Sequence, residues 1–122
     1  MVYEVTDANF EEEVADSSIP CVILFTAGWC SLCPEMKSRF DALSEKMDEV
    51  NFCTVDTDKE KGLRIAFAVG VAPYIVMVRN GMKLPLFDQI ISEEELEERI
   101  RYILDGGKPP VETPLRPITR SR

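Results

Sequence analysis

Residues 19–26, Ile-Pro-Cys-Val-Ile-Leu-Phe-Thr, form a nearly continuous apolar run. A strand with one wet face alternates apolar and polar residues. This run does not, and it predicts a strand buried on both faces, as in the middle of a parallel sheet covered by helices on each side. A chain of 122 residues, 45% hydrophobic, is large enough to bury such a core in one domain without disulfide or metal staples.

The flanking patterns supply the covering layers. Residues 2–5 suit a short strand, and Thr6-Asp7 suits the cap of a helix carrying Phe10, Val14 and Ala15 inward, with Glu11, Glu12 and Glu13 as a solvated face. Met36, Phe40, Leu43 and Met47 recur at four, three and four residues, the stripe of a helix running to about Glu49. Residues 51–56 read as a strand. Residues 57–68 read as a helix with Leu63, Ile65, Ala66 and Phe67 inward. Residues 74–78, the turn Asn80-Gly81 and residues 84–87 read as an antiparallel hairpin, with Pro85 favouring an edge position. Ser92-Glu93-Glu94-Glu95 fits a capping box ahead of a helix bearing Leu96, Ile100, Ile103 and Leu104, which Gly106-Gly107 ends. The domain therefore spans residues 1–105. Residues 106–122, with four prolines and little apolar content, read as a mobile Pro/Arg-rich tail. Within it Pro114-Leu115-Arg116-Pro117 matches a polyproline ligand pattern, although a disordered end is the simpler reading.

Between the apolar run and the helix at 36–47 stands Ala27-Gly28-Trp29-Cys30-Ser31-Leu32-Cys33. In Cys-x-x-Cys at a strand-to-helix junction both sulfurs meet with little backbone movement, and the first lies against the helix N-terminus. Such surroundings lower a thiol pKa from about 8.5 to roughly 3.5–7.5. The resulting thiolate attacks a disulfide, and the second thiol resolves the mixed disulfide. Dithiol exchange is the chemistry this pattern points to.

Composition removes rivals. With no histidine in the chain, imidazole catalysis, a Cys-His nucleophile pair and Cys/His zinc sites are excluded. A four-thiolate zinc site needs two close cysteine pairs, and Cys21 and Cys53 are isolated, reading instead as small core hydrophobes. The net charge of -8 argues against nucleic acid as a partner. That charge is unevenly placed: Lys108, Arg116, Arg120 and Arg122 against Glu112 give residues 106–122 a charge of +3, leaving -11 for residues 1–105. No signal-peptide pattern opens the chain and no run approaches a membrane span, so a soluble, cytoplasmic protein is expected.

Taken together, residues 25–33, the strand at 51–56 and Val71-Ala72-Pro73-Tyr74 before a strand resemble the thioredoxin family over residues 2–105. The resemblance implies an α/β fold, a mixed sheet of about five strands with helices on both faces. It also implies Cys30 as nucleophile, Cys33 as resolving thiol and Pro73 as a cis-proline facing them. Ala72 would then present backbone to an extended substrate, and Trp29 and Tyr74 would line the same groove. A disulfide-containing protein is the implied substrate and a flavin-dependent reductase the implied electron donor. No bound cofactor is implied.

Several positions depart from the family pattern. Where thioredoxins usually place a buried aspartate and a lysine, this chain has Leu24 and Phe52, so water or a carboxylate such as Glu35 must take the proton of Cys33. Ser-Leu replaces the usual Gly-Pro between the cysteines, Tyr74 is bulkier than the usual threonine, and Gln89 stands for a glycine. These changes imply a divergent member with its own partner, or a partner-binding and redox-sensing module with little turnover. Pro34 has no amide hydrogen for the Cys30 carbonyl, so a shifted or distorted helix start with Ser31 as N-cap is expected.

Overall fold

The computed structural model describes residues 1–116 and 118. Six strands form one sheet: β1 (Val2–Glu4), β2 (Cys21–Thr26), β3 (Asn51–Asp56), β4 (Tyr74–Arg79), β5 (Met82–Phe87) and β6 (Thr113–Pro114), in the order β1-β3-β2-β4-β5-β6. β2 runs parallel to β3 and β3 parallel to β1, whereas β4, β5 and β6 are successively antiparallel. The mixed sheet with helices on both faces matches the expectation, with six strands rather than five.

The apolar run is β2, the strand between β3 and β4. Its side chains divide by parity. Val22 and Leu24 join Met36, Phe40 and Leu43 of α1 (Cys33–Ser44) and Leu96, Ile100 and Ile103 of α3 (Glu93–Leu104). Cys21, Ile23 and Phe25 join Phe10 and Val14 near the N-terminus, Leu63 of α2 (Lys61–Ala66) and Phe67 just beyond it. Residues 21–25 are all fully buried, which is why no polar residue interrupts them.

Tertiary structure moves several boundaries. The first helical segment, Glu11–Ala15, is a π-helical turn closed by Asp16 N–H to the Glu11 carbonyl at 2.8 Å. Thr6 and Asn9 cap each other ahead of it, the Thr6 N–H donating to Asn9 Oδ1 and the Asn9 N–H to Thr6 Oγ1. Asp7 does not share that task. Its carboxylate accepts the N–H groups of Gly62 at 3.0 Å and Leu63 at 2.8 Å, so it caps α2, more than fifty residues away. Helix α2 is shorter than the expected 57–68, because Asp56 Oδ1 takes the Asp58 N–H and turns the chain before Lys61. Ile65, expected inward, is 71% exposed: Leu63 and Phe67 share the buried stripe and Ile65 falls opposite. Helix α1 ends at Ser44 rather than near Glu49, and Met47 reaches the core from the loop that follows.

The hairpin turn holds Asn80 and Gly81 at φ of 52° and 73°, as a two-residue turn between β4 and β5 requires. Pro85 lies at a bulge, opposite Val76 and beyond the two residues of β5 that pair with β6. Ser92 caps α3 through its Oγ, which accepts the Glu95 N–H at 3.1 Å. Within residues 106–122, read from the sequence as a mobile tail, the described part includes a two-residue strand. Thr113 and Pro114 pair with Lys83 and Met82, the Leu115 N–H donates to the Gly81 carbonyl at 2.9 Å, and Leu115 and Ile118 pack against the core cluster that includes Leu63 and Phe67. The outer edge of β5 offers backbone groups at Met82 and Lys83 that β6 pairs with. The polyproline-like motif is only partly covered, since Pro117 lies outside the described residues.

Candidate active site

The parallel pairing of β2 with β3 ends at Thr26 and Asp56, and the chain leaves β2 at the C-terminal edge of this part of the sheet. Thr57 closes that edge by donating both its N–H and its Oγ1 hydrogen to the Thr26 carbonyl, at 2.9 and 2.8 Å. Residues 27–32 then turn into α1. The Cys30 N–H donates to the Ala27 carbonyl, and the Cys33 N–H reaches the Cys30 carbonyl at 3.4 Å.

Pro34 decides how α1 begins. Its missing amide hydrogen deprives the Cys30 carbonyl of a helical donor, so that carbonyl takes Cys33 in a tight turn. The first helical bond runs from Met36 N–H to the Leu32 carbonyl at 3.1 Å. The N-cap is Leu32, one residue later than the expected Ser31, and it contributes no side-chain bond; Pro34 sits in the first turn, where no donor is needed.

Cys30 and Cys33 are joined as a disulfide, with their Cα atoms 5.5 Å apart. Cys30 is 8% exposed and Cys33 less, so of the two sulfur-bearing residues Cys30 is the more open. They cluster with Ala27, and Ala72 packs against the group from the start of the hairpin. The Ala72–Pro73 peptide bond is cis. The four expected neighbours separate by exposure: Trp29 stands 67% in solvent, Ala72 and Tyr74 are half-buried and Pro73 is buried. The Tyr74 ring lies 6.0 Å from that of Phe25, and burial, then the nearby Asp88 charge, pushes its phenol above the ordinary value of 10.0.

Glu35 does not serve Cys33 in this arrangement. Its carboxylate lies on the exposed side of α1 and pairs with Arg39 one turn on. The apolar residues packed with the disulfide are Ala27 and Ala72, and Leu24 and Phe52 are buried in the core under α1. Cys21 and Cys53 are free and buried on the opposite face of the sheet, where each contributes to the core. The contact with Cys53, helped by Ser17 and Asn51, lowers the Cys21 thiol pKa, whereas the same contact and burial raise that of Cys53.

One site residue has no signal in the sequence. Asp58 Oδ2 accepts the Gly28 N–H at 2.7 Å and so anchors the segment that carries Trp29 and Cys30. A Cβ at position 28 would stand 3.1 Å from that oxygen, which explains why a glycine is favoured there. Thirty residues separate the pair, and no local pattern joins them. Asp58 also lines a recess of about 250 Å³ with Trp29, Thr57, Lys61, Arg64 and Val71.

A Cys-x-x-Cys disulfide at a strand-to-helix junction, packed against the residue before a cis-proline and flanked by an exposed tryptophan, defines a protein built for thiol–disulfide chemistry. The thioredoxin family model matches residues 1–102, and the chain belongs to the thioredoxin family, with a disulfide oxidoreductase role. Among its relatives, thioredoxin of Oryctolagus cuniculus is 32% identical over 106 residues, 85% of this chain and all of that protein. Thioredoxin 1 of Synechococcus elongatus is 30% identical over 81 residues, 66% of this chain and 76% of that protein. The solution structure of the thioredoxin-like domain of Arabidopsis NCP superposes with a TM-score of 0.80 at 22% identity, covering 99% of this chain and 94% of that one, a likeness of fold. Among the described residues no helix is long and apolar enough to cross a membrane.

Proposed function

We propose that this protein reduces disulfides in protein substrates, with Cys30 as nucleophile and Cys33 as resolving thiol. The observation that carries the reading is the Cys30–Cys33 bond itself, formed beside Trp29 and against Ala72 at the cis peptide. In the reduced protein the Cys30 thiolate attacks one substrate sulfur, forming a mixed disulfide and releasing the other sulfur as a thiolate. Cys33 then loses its proton and attacks Cys30 Sγ, closing the intramolecular disulfide and freeing the second substrate thiol. Two electrons pass from protein to substrate. With Glu35 engaged by Arg39, the proton of Cys33 passes to water or to the departing substrate thiolate.

Trp29 and Tyr74 supply apolar contact for an extended substrate, and the backbone at Ala72 and Pro73 supplies pairing groups, the usual economy of strand-like recognition. The cycle closes when a flavin-dependent reductase returns two electrons to the disulfide. The two free buried thiols, Cys21 and Cys53, suit the reducing conditions of a cytoplasm. The apolar Leu24 and Phe52 favour a second reading, a divergent partner-binding or redox-sensing module that exchanges slowly.

Insulin reduction in the presence of dithiothreitol separates the two readings. An exchanging protein accelerates it, Cys30→Ser abolishes the acceleration, and Cys33→Ser accumulates a mixed disulfide visible on a non-reducing gel. Equal rates for the unaltered protein and Cys30→Ser would refute the proposed turnover.

A further inference from the structure

Residues 1–105 carry a charge of -11, yet the wall beside Trp29 is cationic. Lys61 and Arg64 of α2 line the recess that Trp29, Gly70 and Val71 also line, so the tryptophan forms part of its wall. Both side chains are exposed, and among the described residues neither forms an ion pair. Of the acids nearest in sequence, Asp58 shares the recess and holds the Gly28 N–H through Oδ2, and Glu60 Oε1 accepts the Asp7 N–H at 2.9 Å. Two exposed cations against the single carboxylate of Asp58 give this recess a net positive lining in a chain with 22 acidic residues, so a partner's carboxylate meets attraction there.

We infer that this wall selects among protein disulfides, favouring those whose cysteine is flanked within a few residues by aspartate or glutamate. The inference rests on the exchange reading above and names the substrate class for that site. Its reach is short. At physiological ionic strength charges are screened over about 8 Å, so the acidic body elsewhere on the molecule contributes little to a segment lying against Lys61 and Arg64. An acidic flank running past Trp29 gains two ion pairs at the rim of the contact, and a basic flank loses by the same amount. Rim charges of this kind act mainly on encounter and salt dependence.

The chain holds a single tryptophan, Trp29, so its fluorescence reports on this recess directly. The test titrates three disulfide-linked peptide dimers, their cysteines flanked by glutamates, by lysines or by serines, into the non-exchanging Cys30→Ser/Cys33→Ser protein. The glutamate peptide is expected to bind roughly tenfold more tightly than the lysine peptide at low salt, a preference that fades at high salt. Lys61→Glu/Arg64→Glu inverts the order. Lys37→Glu/Lys108→Glu, with the same net charge but altered away from the recess, preserves it. Equal or tighter binding of the lysine peptide to the parent protein, or an equal response in both double variants, overturns the inference. Reduction of the serine peptide by the Cys30-containing protein reports separately on exchange, so loss of selectivity and loss of turnover are distinguishable.

Discussion

Replacing Asp7 by alanine removes the two acceptors that cap α2. Asp7 is only 9% exposed, its oxygens lie 3.0 and 2.8 Å from the N–H groups of Gly62 and Leu63, and both of those residues are buried. The loss has two parts. Removing an N-cap acceptor costs about 1 kcal/mol, and leaving a buried donor without a partner costs about 1–3 kcal/mol. With one donor recovering a water, Asp7→Ala is expected to destabilise the fold by about 3 kcal/mol. For a chain of this length that is a fall of about 12 °C in Tm. In urea it is a shift of about 2 M in midpoint, with the slope unchanged. Asp7→Asn keeps one carbonyl acceptor and should lose about half as much. Hydrogen exchange would show the amides of Gly62 and Leu63 losing protection first in either variant. An Asp7→Ala protein within about 0.5 kcal/mol of the parent would refute the capping role and return Asp7 to the first helical segment. Because α2 presents Lys61 and Arg64 beside Trp29, the same substitution should weaken selectivity for acidic flanks before the fold is lost.

Three further outcomes follow from the same contacts. Ending the chain after Glu112 removes β6 together with Leu115 and Ile118 from the core, with an expected loss of about 2 kcal/mol in urea unfolding and no change in reduction of a serine-flanked peptide; an unchanged midpoint would refute the strand's contribution. Tyr74 has its phenol raised by burial, so the unfolded chain ionises first and stability falls as pH rises from about 10 through the folded-state value. Tyr74→Phe should flatten that alkaline limb, and an identical limb in both proteins would count against the burial of the phenol. Cys21 and Cys53 are both buried, on adjacent strands, with Cys53 opposite Ile23 rather than Cys21. A thiol reagent should therefore find no rapidly reacting group in the oxidised native protein and two in denaturant, and fast native labelling would contradict the packing.

The pattern of residues 19–33 was legible because its causes are local. A short apolar run without polar interruption suits a strand buried on both faces, two cysteines three apart at a helix start lie within reach of each other, and Asn80-Gly81 can supply the positive φ values a tight hairpin needs. The same locality limited it. The missing amide hydrogen of Pro34 predicted that the helix starts after Cys30, with Ser31 as cap, whereas the first helical bond starts one residue later, at Leu32.

What only the tertiary structure decided are the partnerships across long stretches of chain. Asp7 looked like the cap of its own helix and instead serves one beginning at Lys61; Asp58 holds Gly28; Glu35, a plausible proton acceptor, is taken by Arg39; and Thr113–Pro114 finds the open edge of β5. Periodicity and capping preferences encode the interactions of a residue with neighbours a turn or two away. A carboxylate's partner, by contrast, is whichever unpaired donor the folded sheet brings within hydrogen-bond reach, and that distance exists only once the strands have assembled.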